Sequence, residues 1–317
     1  AVCDAYELTR AEILARYPDL IAIRGIDALL EVPAIDAIVV ATPPHLHFDH
    51  AFAALDAGYH VLVETPLATS TCHARRLRDL ATRDHLILMA GANQPFCPLL
   101  ADAKRQIQRG AWGTVRTLRS RRSRPAGPRQ CPDSLWGLVA HDLTAANFLL
   151  DDIPAEVSAQ AGYPRRPGGP EMTPAVTRFE AVYAGGAILS GEASTAQDQV
   201  TGELELVTGA GNWVYAESAT EVCLRSVRAG SRTVRPLASS DAGKSVELSD
   251  GPAAVVDAFV RRIATHTATD SATRAAGEVV CALEAMAQSM ADGGATVRVD
   301  YRPMSVGPVA VRPAATL

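Results

Sequence analysis

Apolar positions in residues 1–95 switch repeatedly between two spacings. Leu8, Ile13 and Leu14 recur on a helical period and predict a helix over Tyr6–Tyr17. A short helix follows at Ile26–Glu31, and the unbroken apolar run Ala37–Ala41 predicts a strand buried on both faces. Phe48, Ala51, Ala54 and Leu55 place a helix over His45–Gly58, closed by its glycine, before the strand His60–Glu64. The helix Ser70–Arg83 and the strand Leu86–Ala90 repeat the unit. Strands interleaved with helices imply a doubly wound parallel sheet, which binds ligands at the carboxyl ends of its strands.

Beyond a helix at Leu99–Gln108 the period changes to that of strands: Val115–Arg121, Ala155–Ala161, Val176–Tyr183, Ala187–Ala193, Gly202–Thr208, Trp213–Glu217 and Glu221–Ser226. Gly-rich turns between successive strands predict a mainly antiparallel sheet. Helices at Leu135–Leu150, Ala253–His266 and Ala272–Ala291 would cover one face, leaving the other open as a surface for a homo-oligomer. The fold class is therefore α/β: a Rossmann-like sheet over 1–95, an α+β domain with an open sheet over 96–305, and an extended tail over 306–317.

The composition narrows the partners. With 30 Lys+Arg against 35 Asp+Glu in 317 residues the net charge is −5, which argues against nucleic acid as a partner. No apolar run approaches the roughly 20 residues of a membrane-spanning helix. The six cysteines form no CxxC pair, so a reducing, cytoplasmic setting is the default.

Two strand ends carry candidate chemistry: Ala41-Thr-Pro-Pro-His-Leu-His47 and Glu64-Thr-Pro-Leu67. Side by side they would form a crevice, with helix N-terminal amides available to an anion. The plainer alternative is a pair of strand-to-helix turns in which Pro43 and Pro44 start a helix. His45, His47 and His50 lack the carboxylate or cysteine that would complete a metal site, and no metal is expected. His141, in Leu135-Trp-Gly-Leu-Val-Ala-His141-Asp142, is either a core histidine or an acid/base group. Arg116, Arg119, Arg121, Arg122, Arg124 and Arg129 form a basic run that would either receive a carboxylate or phosphate or make ion pairs on a solvated strand face.

Together, AIVVATPPHLHFDHAFAALDAGYHVLVETPLATS, LWGLVAHDLTAANFLL and ILSGEASTAQDQVTGELELVTGAGNWVYAES resemble the Gfo/Idh/MocA family over nearly the whole chain. The resemblance implies an NAD- or NADP-dependent oxidoreductase acting on a sugar, cyclitol or nucleotide-sugar hydroxyl or ketone. It implies that Asp4 accepts hydrogen bonds from the adenosine ribose, favouring NAD over NADP. It also implies that Thr42, Pro43, His47, Glu64 and Pro66 lie along the cofactor, that His141 is catalytic, and that Asn93, Trp136 and Arg121 border the substrate.

The chain departs from the family pattern in four places, one being Gly91-Ala-Asn-Gln-Pro-Phe-Cys-Pro98, where many relatives have Gly-His-Asn-aromatic-Arg-Phe-Asn-Pro and only Gly91, Asn93, Phe96 and Pro98 remain. The lysine of the family's Glu-Lys-Pro motif is Thr65, and the aspartate one helical turn before the catalytic histidine is Gly137. The glycine-rich dinucleotide loop is missing: the first glycine is Gly25, and Gly209-Ala-Gly211 joins two strands. Since Ala1–Cys3 reads as the end of a buried strand, a further βαβ unit of about 30 residues is expected upstream. The rival expectation is a protein without cofactor, a non-catalytic ligand-binding or regulatory pseudoenzyme on the same scaffold.

Overall fold

The computed structural model describes residues 1–125, 133–162, 174–218, 221–227, 235–236, 246–247, 250–267 and 270–305. Arg129 and the expected tail 306–317 lie outside them. The N-terminal units are β1 (Val2–Cys3), α1 (Glu7–Arg16), β2 (Ala22–Ile23), α2 (Ile26–Leu30), β3 (Ala37–Val40), α3 (His47–Asp56), β4 (His60–Val63), α4 (Thr71–Arg83) and β5 (Leu88–Ala90). All their strand pairs are parallel, in two separate sheets, β1-β2 and β3-β4-β5. The helix boundaries follow local chemistry. Ser70 caps α4 by accepting the His73 N–H at 3.2 Å, and α3 ends before Gly58, whose φ of 88° suits a residue without a side chain.

β4 is apolar on both faces because both are covered. Val61 and Val63 join the core built by Ala51, Ala54, Leu55 and Leu77 from α3 and α4. On the other face Leu62, Ile87 and Met89 meet Val255, Ala258 and Phe259. These last residues belong to α7 (Asp250–Ala264), so the second cover of the N-terminal sheet comes from the far end of the chain.

The remaining elements are α5 (Pro98–Gln108), β6 (Val115–Ser123), α6 (Ala140–Leu150), β7 (Pro154–Gly162), β8 (Val176–Tyr183), β9 (Ile188–Ser194), β10 (Thr201–Thr208), β11 (Gly211–Glu217), β12 (Glu221–Val227), β13 (Arg235–Pro236), β14 (Val246–Glu247), α8 (Asp270–Ala291), β15 (Val297–Arg298) and α9 (Arg302–Ser305). Their strands make one sheet in the order β13-β12-β11-β10-β6-β9-β8-β7-β15, with β14 also on β12. Its pairs are antiparallel except β6 with β9, an exception that strand periodicity does not reveal.

The helix expected over Leu135–Leu150 is broken into a π-helical turn, Leu135–Val139, and α6. Asp133 starts this segment, its Oδ1 accepting the Leu135 and Trp136 N–H groups at 2.9 and 3.1 Å. The open face of the large sheet is charged: Arg119 pairs with Glu205 at 3.4 Å and Arg178 with Glu192 at 2.8 Å. Among the described residues, no helix is long and apolar enough to cross a membrane.

Candidate functional site

Four strand ends supply the candidate cofactor residues, as parallel winding requires. Asp4 follows β1, Thr42 and Pro43 follow β3, Glu64 to Pro66 follow β4, and Asn93 lies just beyond β5. The Asp4 carboxylate accepts the Tyr6 N–H at 2.7 Å through one oxygen. The Thr42 hydroxyl faces His50 Nδ1 at 3.2 Å. Burial pushes the His50 imidazole below its ordinary range, which favours the neutral ring.

His47 is 1% exposed and joins two of these turns. Its Nε2 lies 2.6 Å from the Thr42 carbonyl and its Nδ1 2.7 Å from the Pro66 carbonyl. Both nitrogens are therefore spent on backbone, and His47 holds the crevice together from beneath rather than lining it. The Thr65–Pro66 peptide is cis. Glu64 packs against Gly91, where a Cβ would stand 2.9 Å from Glu64 Oε2 and 3.2 Å from its Cα, so only glycine permits this approach. Desolvation raises the Glu64 carboxyl above its usual range, against the Thr65 N–H and the charges of His47 and Arg124.

The second half of the chain brings His141 to the turn that follows β5. Its Nδ1 is 3.2 Å from the Nε2 of Gln94, a residue 6% exposed. Burial, reinforced by the charges of Arg122 and Arg124, pushes the imidazole down to about 3. Beneath it Arg122 donates to Asp142 Oδ1 at 2.9 Å and to Glu217 Oε2 at 3.1 Å. All three are largely buried, and Gly202 leaves the room the guanidinium occupies.

Arg121 does not border this site. Side chains alternate across a strand, so Leu118, Ser120 and Arg122 face the helices while Arg119 and Arg121 stand exposed on the opposite face. There Arg121 sits between Glu203 and Glu192 of the neighbouring strands. The same alternation in the sequence would have identified Arg122 as the inward residue. Asn93 is partly buried against Gly251 of α7, and Trp136 is partly buried in the π turn before His141. Gln94 stood out in the sequence only as a departure from the family run, because a glutamine in a loop acquires a role only when α6 brings a histidine to it.

Several of these residues fit a dinucleotide. Asp4 keeps an oxygen with no partner among the described residues, the chemistry a ribose diol requires. Thr65 Oγ1 is buried without a partner beside the Glu64–Gly91 approach. The described residues include no glycine-rich turn between a strand and a helix that would hold the pyrophosphate. They also include no cluster of three His, Cys, Asp or Glu suited to a metal.

Residues 1–92 match the family model described as an oxidoreductase family with an NAD-binding Rossmann fold, GFO_IDH_MocA. These residues belong to the Gfo/Idh/MocA family. A 1-carboxy-3-chloro-3,4-dihydroxycyclohexa-1,5-diene dehydrogenase from Comamonas testosteroni is 28% identical over 215 residues, 64% of this chain and 54% of that protein. A UDP-N-acetylglucosamine 3-dehydrogenase from Acidithiobacillus ferrooxidans is 32% identical over 139 residues, 44% and 42% of the two chains. The chain thus spans about half the length of these curated relatives. Among solved structures, a levoglucosan dehydrogenase in complex with NADH and levoglucosan superposes with a TM-score of 0.75 at 22% identity, covering 94% of this chain and 89% of that one. The Gfo/Idh/MocA architecture therefore extends over both halves of the chain as a fold.

Proposed function

We propose that this protein is an NAD-dependent oxidoreductase that interconverts a CH–OH group and a ketone on a sugar- or cyclitol-like molecule, with His141 as its acid/base group. The observation that carries the reading is the meeting of His141, from the second domain, with the segment that leaves β5, at the same end of the parallel sheet as the turns of Thr42 and Glu64. Asp4 would hold the adenosine ribose, and its negative charge opposes a 2′-phosphate, which favours NAD over NADP. The turns of Thr42–Pro43 and Glu64–Pro66, tied by His47, would hold the nicotinamide ribose. The cofactor, when bound, accepts or supplies the hydride.

His141 Nε2 has no partner among the described residues, and it exchanges the proton of the substrate hydroxyl as the carbon–hydrogen bond breaks or forms. Thr65 supplies no cation at the position where the family has lysine. Arg124, at the end of β6, acts electrostatically on both Glu64 and His141 and would offer the positive charge instead.

The eroded positions Thr65 and Gly137, with an imidazole pushed down to about 3, also favour a second reading, a ligand-binding protein without turnover. Titration with NADH and NADPH, followed by assays on a panel of polyols and keto-sugars, separates the two. The first reading expects saturable NADH binding and turnover that falls about 100-fold or more in His141→Asn while NADH still binds. Absence of binding at millimolar cofactor would overturn it. Binding without turnover, restored by Thr65→Lys with Gly137→Asp, would establish the second. A Cβ at Gly137 meets nothing within 4 Å, so the aspartate can be accommodated.

A further inference from the structure

His141 has one nitrogen engaged and one free. Nδ1 faces the side-chain amide nitrogen of Gln94, while Nε2 has no partner among the described residues. Gln94 is held firmly. It opens the short 3-10 turn Gln94–Phe96, its carbonyl accepts the Cys97 N–H, and the turn packs against α5, α6 and α7. Its Oε1 is buried without a partner.

A neutral imidazole carries a single N–H, and the hydrogen bond at one nitrogen decides which nitrogen bears it. An amide N–H donating to Nδ1 makes that nitrogen the acceptor and places the proton on Nε2. Turning the amide over would pair Oε1 with an Nδ1–H and leave Nε2 as a bare acceptor. The two arrangements differ in what they strand. The first leaves one buried carbonyl oxygen and the other N–H of the amide unpaired, whereas the second leaves both N–H groups unpaired, and orphaned donors are the less tolerated. The charges acting on His141 among the described residues are those of Arg122 and Arg124 from β6. Arg122 is in turn neutralised by Asp142 beside the histidine and Glu217 on β11, and Gln94 is uncharged, so among the described residues no group named around the ring favours the imidazolium.

We propose that Gln94 is a positioning residue that fixes His141 as the Nε2–H tautomer, so that the resting site offers a hydrogen-bond donor to a ketone oxygen rather than a base to an alcohol. The inference rests on the oxidoreductase reading for its meaning but not for its test. A ketone meets an N–H already in place, which hydrogen-bonds its oxygen as hydride arrives at carbon; the proton that completes the alcohol leaves Nε2 only from a ring that also carries a proton on Nδ1, because the resting ring has a single N–H. In the alcohol direction the Gln94 amide turns over, Nδ1–H donates to Oε1 and Nε2 accepts the hydroxyl proton, and proton return to the product of ketone reduction retraces that path. The overall equilibrium between alcohol and ketone is untouched; what changes is which bound form the site stabilises.

The deciding experiment is nitrogen NMR of the full chain labelled with 15N-histidine, the His141 signals being identified by their loss in His141→Asn. The expected spectrum has a pyridine-type Nδ1 and a pyrrole-type Nε2. In Gln94→Glu a carboxylate can only accept from the ring, so the tautomer reverses; in Gln94→Met, which has no amide, both tautomers appear. A pyrrole-type Nδ1 in the parent protein overturns the proposal. So does a tautomer that stays the same in both variants.

Where a substrate pair is turned over, Gln94→Glu moves the acidic limb of kcat/KM to higher pH. It also shifts the ratio of ketone to alcohol affinity by about tenfold toward the alcohol, the scale of one hydrogen bond made or missed. Turnover absent from every preparation, with the tautomer responding as expected, would sink the oxidoreductase reading and leave the Gln94 assignment standing.

Discussion

His47 and Arg122 show how much a single buried side chain can do. His47 bridges two carbonyls that are 24 positions apart, those of Thr42 and Pro66, and so sets the spacing of two strand-end turns. Arg122 lies between two carboxylates of different elements, Asp142 on α6 and Glu217 on β11. Truncating it in Arg122→Ala leaves Asp142 buried without its counter-charge, and a loss of about 3–5 kcal/mol is expected in urea unfolding.

His141 makes a separate prediction through linkage. Its folded-state imidazole is pushed down to about 3, far below the ordinary value near 6.5. Below pH 6.5 the unfolded chain takes up a proton that the folded site refuses. This contribution to stability is therefore complete above about pH 6.5 and is lost as pH falls toward 3. Urea midpoints of the parent chain and His141→Gln, compared at pH 7 and pH 4.5, should show the parent losing more on acidification. Equal losses would contradict the low imidazole value.

At the scale of elements, the segments legible from the sequence were those whose own periodicity decides them. The parallel strands β3, β4 and β5 and the helices α3, α4 and α5 emerge within a few residues of their expected limits, because an apolar stripe on a 3.6 or 2.0 period needs only one partner surface. The π turn before α6 was not legible, since an extra residue in a helical turn leaves no mark in a pattern of Leu135, Leu138 and Val139.

The parallel pairing of β6 with β9 was hidden as well, because hydrogen-bonded partners are a property of neighbours rather than of either strand. That pairing depends on Gly191, where a Cβ would stand 2.8 Å from the Ser120 carbonyl oxygen and 2.9 Å from the Phe179 ring. Gly191→Ala is expected to cost about 1–3 kcal/mol by overpacking, measurable as a lower urea midpoint with an unchanged slope.

Across the whole molecule the sequence division into two domains is crossed by packing. α7 closes the second face of the N-terminal sheet through Phe259, 2% exposed, and Thr273 of α8 donates to the Leu88 carbonyl of β5 at 2.6 Å. Arg78 of α4 donates to the Met304 carbonyl of α9 at 2.7 Å. The two halves should therefore unfold together: Phe259→Ala is expected to lower stability by about 3–5 kcal/mol while far-UV circular dichroism still reports one transition. Two resolved transitions would show that α7 does not couple them.

The residues at the carboxyl ends of the parallel strands, Asp4, Thr42, Glu64 and Pro66, were placed by the sequence alone, because chain direction and strand order determine where each strand must end. Tertiary structure decided which side chains of the second half face them. It turned Arg121 outward and Arg122 inward, buried His47 beneath the crevice, and set Gln94 against His141. The physical reason is the range of the interactions. Hydrophobic period and turn chemistry act within a dozen residues and are written locally, whereas a buried hydrogen bond or ion pair exists only once distant elements have excluded water around it.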